Sequence, residues 1–158
     1  MGTDSERFIP DAPDPGALDT ALEIFRKLDH GAQTGDWAPY LDSLHDDITW
    51  FAPVEGFQGF HRGRASIEKL FAHHTGVTRT TWMLKNIVAT GNEIGLEARV
   101  EGEIEGKRYA NQLLMLWVIE DGKIRHMREY AGWLNGVGDL SGIGHPEEGR
   151  DAFAYKGR

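Results

Sequence analysis

Apolar residues recur along this chain at two different spacings, and the change from one to the other divides it. Leu18, Ala21, Leu22, Phe25, Leu28 and Ala32 repeat at the spacing of one helical face. Asp14-Pro15 supplies an N-cap and a first-turn proline, and Gly35 supplies a stop. Asp36 is placed to cap a short second helix with Trp37, Tyr40, Leu41 and Leu44 turned inward. Ile48 to Ala52 reads as a strand halted by Pro53. Residues 53–63 are rich in Gly, Phe and turn formers and read as a loop, before Ala65, Ile67, Leu70 and Phe71 mark a third helix ending around Gly76.

From about Arg79 to Trp133 the period changes to two. Glu105-Gly106 and Asp121-Gly122 suit two-residue hairpin turns, since Gly takes positive φ without a steric penalty, and Gly91-Asn92 suits a third. If every rung of the ladder holds one residue per strand, partners follow by arithmetic. Glu129 falls opposite Leu114 and Met127 opposite Leu116. Glu97, Arg99 and Glu101 fall opposite Leu114, Gln112 and Ala110, while Asn86, Leu84 and Trp82 fall opposite Glu97, Arg99 and Glu101. Paired residues share a face. One face then carries Trp82, Leu84, Asn86, Glu97, Arg99, Glu101, Gln112, Leu114, Leu116, Met127, Glu129 and Trp133. The opposite face, with Met83, Leu96, Ala98, Val100, Leu113, Met115, Trp117 and Tyr130, is mostly apolar, and Tyr109 and Asn111 belong to it. A bulge would shift this register by one and exchange the faces of a strand.

Helices first and an antiparallel meander afterwards predict an α+β domain with helices on one face of a curved sheet. The division expected is an arm over 1–14, a domain over 15–133 and a Gly-rich tail over 134–158. At 158 residues one domain has a core that needs no staples. There is no cysteine, so disulfides and thiolate chemistry are excluded. The net charge of −8 argues against a nucleic-acid partner, because phosphate binding wants clustered Lys and Arg. No apolar run approaches the roughly 18 residues of a membrane span, and the polar N-terminus lacks a signal-peptide core, so a cytoplasmic protein with no membrane association is expected. No metal-binding spacing and no Gly-rich phosphate loop occurs, and neither metal nor cofactor is expected.

Thr34-Gly35-Asp36-Trp37, Leu44-His45-Asp46-Asp47-Ile48, Gly63 with Ile67 and Phe71, Tyr109 with Asn111, Asp121-Gly122-Lys123-Ile124 and Arg128-Glu129-Tyr130 appear in that order. In this arrangement the chain resembles the nuclear transport factor two-like superfamily, in particular its SnoaL-like polyketide cyclase branch, over about residues 17–133. The resemblance implies a cone in which three N-terminal helices close a bent, mainly antiparallel sheet over an apolar pocket, and pairing as a homodimer through the outer sheet face. The chain is also similar to limonene-type epoxide hydrolases in an Arg-x-acid pair on one strand and an acid within an Arg-acid-Tyr run on the last. Those positions are Arg99, Glu101 and Glu129. Both acids are Glu where that family has Asp, and Thr49-Trp50-Phe51-Ala52-Pro53 stands where it has a Tyr and an Asn. Ketosteroid isomerases resemble the chain less, with Ala52 at the position of their base, and scytalone dehydratases place a His where Trp82 stands.

Glu129 is the leading candidate for chemistry. Beside Leu114, Leu116 and Met127 it would be desolvated and its pKa raised, as a general acid or base requires. A Glu salt-bridged to Arg99, holding two strands together, would fit the same residues. Arg99 between Glu97 and Glu101 could orient water or an oxyanion, or belong to a solvated charge ladder. Trp82, Leu84, Asn86, Gln112, Leu114, Leu116, Met127, Trp133 and Trp50 complete the expected pocket for an apolar small molecule. His61 reads as a surface loop residue, and the adjacent His73 and His74 cannot share one helical face. Two functions fit: a cofactor-independent enzyme (epoxide hydrolysis, or cyclisation or isomerisation of an apolar ketone), and a binding or accessory protein without turnover.

Overall fold

The computed structural model describes residues 10–54 and 56–131. The expected tail over 134–158, Trp133 and most of the expected arm lie outside them. Helix α1, Pro15–Thr34, begins where the Asp14 carboxylate accepts hydrogen bonds from the amides of Gly16 (2.8 Å) and Ala17 (3.3 Å). It ends at Gly35, whose φ of 84° closes the last turn onto the Gly31 carbonyl. Ala21, Ile24, Phe25, Leu28 and Ala32 form its buried face. The end of the arm is tied to the β3–β4 turn: the Asp14 amide donates to the Gly91 carbonyl and the Gly91 amide to that of Ala12.

Short α2, Ala38–Leu41, leads into β1, Leu44–Phe51, which starts before the expected Ile48. Within the expected loop lies a short strand, β2, Phe60–Arg62, paired antiparallel with β1. Helix α3, Arg64–Thr75, follows with Ile67, Leu70 and Phe71 buried. Four long strands complete the chain: β3 Thr78–Thr90, β4 Glu93–Ile104, β5 Lys107–Glu120 and β6 Lys123–Ala131. The six strands form one curved, unclosed sheet in the order β2-β1-β6-β5-β4-β3, with β1 parallel to β6 and the other pairs antiparallel. This is the expected α+β class. Positive φ at Glu105 and Gly106, and at Asp121 and Gly122, shows both predicted hairpin turns in the form whose twist suits paired strands.

Helix α1 covers β3, β4 and β5, and its Asp29 carboxylate accepts the Trp82 amide at 2.8 Å, which satisfies a backbone donor on an edge strand. Trp50 is fully buried behind β1, where its indole N–H donates to Ser66 on α3 at 2.7 Å and its ring stacks on His61 at 4.2 Å. His61 is thereby a structural residue of the β1–β2 hairpin.

The β4–β5 ladder runs as expected, with Glu97, Arg99 and Glu101 opposite Leu114, Gln112 and Ala110. The neighbouring ladders each hold one extra residue. On β3 it is Lys85: Asn86 pairs with Glu97 as expected, but Leu84 pairs with Ala98 and Trp82 with Val100. On β6 it is Arg125: Ile124 pairs with Ile119, then His126 with Val118, Met127 with Trp117 and Glu129 with Met115. Each bulge exchanges the two faces beyond it. Trp82, Leu84, Met127 and Glu129 therefore turn to the interior with Ala98, Val100, Leu113 and Met115, away from Arg99 and Glu101.

Candidate functional site

Between the helices and the inner sheet face lies a cavity of about 110 Å³. Leu28 of α1, Trp37, Tyr40 of α2, and Leu70, Phe71 and His74 of α3 form one wall. Thr78, Thr80 and Trp82 of β3, Val100 and Ile104 of β4, Tyr109, Leu113 and Met115 of β5, and Met127 and Glu129 of β6 form the other. Ala52 and Val54 close it from the end of β1. A cavity of about 150 Å³ accommodates benzene, so this space suits a ligand, or the reacting part of one, near the size of a single small ring.

Glu129 is the one carboxylate among these lining residues, and they include no Lys or Arg. Burial lifts its pKa from the usual 4.5 to about 7. Near neutral pH the group therefore exists in both protonation states, which lets it take up and release a proton within one cycle.

Two phenols lie close enough to sense its charge. Tyr40 is 1% exposed, donates its hydroxyl proton to the Met127 sulfur at 3.5 Å, and is held above the usual tyrosine pKa by burial and then by Glu129. Tyr109 is also raised, first by burial; a hydrogen bond from Asn111 opposes the rise and the Glu129 charge adds to it. The Asn111 amide nitrogen donates to the Tyr109 oxygen at 2.9 Å, and the Asn111 side-chain oxygen accepts the Gln112 amide at 2.8 Å. His74 is lowered by burial and by neighbouring His73, so its imidazole is neutral at pH 7, within hydrogen-bond distance (3.1 Å) of the Thr78 hydroxyl. The Trp37 indole N–H is buried and has no partner among the described residues.

The expected convergence of Glu129 with Arg99 and Glu101 does not occur, because the Arg125 bulge turns Glu129 inward. On the outer face Arg99 is paired with Glu101. Beside them the Gln112 amide donates to Glu97 at 2.8 Å. Asn86, Glu97, Gln112 and Leu114 line an open outer groove of about 440 Å³ together with Val88, Gly95 and Tyr130. Leu116 lies opposite Gly95 on that outer side. Of the residues expected in the pocket, Trp82 and Met127 reach the cavity with Glu129. Leu84 turns inward against the core beside it, and Trp50 belongs to the core behind β1.

Trp37, Tyr40, Phe71 and His74 stand outside the expected pocket set, and Tyr109 lies on the sheet face opposite the one expected to carry the site. A signal for the inversion exists in the sequence. Leu84-Lys85-Asn86-Ile87 and Ile124-Arg125-His126-Met127 both place two polar residues between two apolar ones, and a strand can turn both apolar residues inward only by bulging. Among the described residues no group of three or more His, Cys, Asp or Glu side chains could hold a metal, and no helix is long and apolar enough to cross a membrane.

The comparisons with known proteins agree with this architecture. An NTF2-like protein from Anabaena variabilis superposes with a TM-score of 0.71 at 26% identity, covering 85% of this chain and 96% of its own. A provisionally named SnoaL-like polyketide cyclase from Jannaschia sp. CCS1 superposes at 0.61 with 18% identity, covering 83% and 92%. A provisionally named isomerase from Rhodopseudomonas palustris superposes at 0.64 with 12% identity, covering 72% and 89%. No curated protein matches the chain. Residues 25–127 match the SnoaL-like domain model, and the chain accordingly belongs to the SnoaL-like domain family within the NTF2-like superfamily.

Proposed function

We propose that this protein is a cofactor-independent enzyme that moves a proton on a small, mainly apolar molecule, with Glu129 as general acid and base. The observation that carries this reading is a lone carboxyl among the lining residues of an apolar cavity, with its pKa brought by burial to about 7. Isomerisation or cyclisation of a ketone needs one group that accepts a proton and returns it elsewhere, and Glu129 is tuned for both steps. The polyketide cyclase and isomerase names given to two proteins of this fold fall in the same reaction class. Epoxide hydrolysis by an acid–Arg–acid set is less favoured, since Arg99 and Glu101 stand on the opposite face of the sheet from Glu129.

The test is turnover of an enone, ketone and epoxide panel by the wild type and by Glu129→Gln. Loss of about 10²–10⁴-fold in rate, with a wild-type pH profile inflecting near 7, is expected. Turnover that survives the substitution unchanged removes Glu129 from the mechanism. The second reading, a binding protein without chemistry, is favoured by the aromatic cavity wall of Trp37, Tyr40, Phe71, Trp82 and Tyr109. Tight binding across the panel with no turnover would select it. For the outer face we propose a homodimer contact, supported by exposed Val88, Leu114 and Tyr130 around the outer groove.

A further inference from the structure

We infer that the cavity is a binding site for a small N-methylated ammonium ion, with Glu129 as its counter-charge and the surrounding aromatic rings as its walls. The inference uses the place of Glu129 in the cavity and not its part in proton transfer. It begins with charge. Glu129 is the one carboxylate among the lining residues, and they include no Lys or Arg. A carboxylate drawn out of water needs a partner of opposite sign. His74 does not supply one, since burial and neighbouring His73 hold it neutral at pH 7. A carboxylate or phosphate ligand would therefore bring a second negative charge with nothing to offset either. The net charge of −8 favours the approach of a cation from solvent.

The walls suit the same ligand. The rings of Trp37, Tyr40 and Phe71 have centroids 4.6–6.5 Å apart and are inclined to one another by 53–69°, as in the wall of a cage rather than a stack. Trp82 of β3 and Tyr109 of β5 add two rings from the sheet side. Aromatic faces attract a cation that has shed its water, and Trp does so most strongly. The Trp82 indole N–H donates to the Thr80 hydroxyl at 3.3 Å, which steadies that ring.

The supply of acceptors selects among ammonium ions. A primary ammonium carries three N–H donors, and each one left unpaired in an apolar space is costly. The hydroxyls lining the cavity are already engaged. Thr80 accepts from Trp82 and Tyr109 from Asn111, while Thr78 is bonded with His74 and Tyr40 with the Met127 sulfur. A tertiary ammonium has one N–H to give to Glu129, and a quaternary one has none. The methyl groups of either meet hydrocarbon, and a trimethylammonium head has the bulk of the small ring that this space suits.

Binding is coupled to a proton. Glu129 has a pKa of about 7 in the free protein, and a cation beside it favours the ionised form. The other titratable groups lining the cavity are Tyr40 of α2, Tyr109 of β5 and His74 of α3, all uncharged at neutral pH; α1, β1, β3 and β4 contribute none to the lining. Affinity for the cation then follows the ionised fraction of Glu129, about a tenth at pH 6 and about nine-tenths at pH 8.

Choline and its uncharged carbon isostere dimethylbutanol are the probes, titrated calorimetrically into the whole chain. Choline is expected to bind about tenfold more tightly at pH 8 than at pH 6, to release about one proton at pH 6, and to outbind dimethylbutanol at pH 8. Glu129→Gln should weaken choline by about 10–100-fold, remove its pH dependence and leave dimethylbutanol bound as in the wild type, which shows the cavity intact. Trp82→Leu should weaken choline by about 3–30-fold and dimethylbutanol less. Choline affinity that survives Glu129→Gln, or that is level from pH 6 to 8, marks attraction to surface carboxylates and overturns the inference. So does tighter binding of dimethylbutanol than of choline at pH 8. No choline binding, with panel turnover that needs Glu129, overturns this inference and leaves the enzyme reading standing. Choline binding that needs Glu129, with turnover indifferent to Glu129→Gln, does the reverse.

Discussion

Glu129 is paired with Met115 across the β5–β6 ladder, and the two side chains face the same interior. Met115 is 1% exposed, and half-buried Glu129 beside it has hydrocarbon where part of its water would otherwise be. The position raises the pKa of Glu129 to about 7, and that makes the folded state pH-sensitive.

The sign of that sensitivity follows from linkage. Between pH 4.5 and about 7 the folded protein holds a proton on Glu129 that the unfolded chain releases. Stability from this group is fully present below the unfolded value and falls as pH rises through the folded one. Glu129→Gln should be more stable than wild type at pH 8, by roughly 2–4 kcal/mol, and nearly equal to it at pH 4. Urea unfolding at the two pH values checks it; equal differences at both would mean that the carboxyl is not buried.

The Arg125 bulge sets this position by residue count rather than by side-chain identity. Arg125 reaches the Asp47 carbonyl at the surface and a distant Glu120. Arg125→Ala should cost less than about 1 kcal/mol. Deleting residue 125 instead restores a plain ladder and turns Met127 and Glu129 outward, a loss comparable to the whole stability of about 5–15 kcal/mol. Circular dichroism melts of the two variants should separate cleanly.

Gly31 supports the cavity wall from behind. A Cβ there would lie 2.4 Å from the Trp37 ring, which is 7% exposed and sits 4.6 Å from Phe71. Gly31→Ala should cost about 1–3 kcal/mol and weaken ligand binding by displacing Trp37. Thermal melts and titration with a ketone of the panel measure the two effects.

The outer face is a separate matter from the cavity. Leu114 is 39% exposed and Tyr130 47%. If that face pairs two copies, Leu114→Glu should convert a dimer to a monomer in sedimentation velocity while the cavity's tryptophan fluorescence response to ligand persists. A wild-type monomer at high concentration would end the proposal.

Much of the fold was legible because its signals are local. Asp14-Pro15 and Gly35 bracket α1 through backbone groups a few residues apart, and Glu105-Gly106 and Asp121-Gly122 set their turns by the φ values they tolerate. The β4–β5 register followed from its turn alone, since no residue intervenes. The site was less legible. Residue counting from Asp121-Gly122 reaches Glu129 only across Arg125, and from Gly91-Asn92 reaches Trp82 only across Lys85. One uncounted residue in each ladder moved Glu129 and Trp82 together to the other side of the sheet.

The sequence by itself determined three helices, the first strand and the long meander, their order, and the presence of an ionisable group amid apolar strands, because caps, turns and periodicity act over a few residues; the short β2 has no such signal. Tertiary structure decided which face is the inside. Only when α1 and α3 cover the sheet does burying Trp82, Leu84 and Met127 outweigh two interrupted ladders, and Glu129 is carried in with them. The pairs Leu84–Ile87 and Ile124–Met127 record that outcome, but their meaning depends on a hydrophobic surface contributed from other parts of the chain.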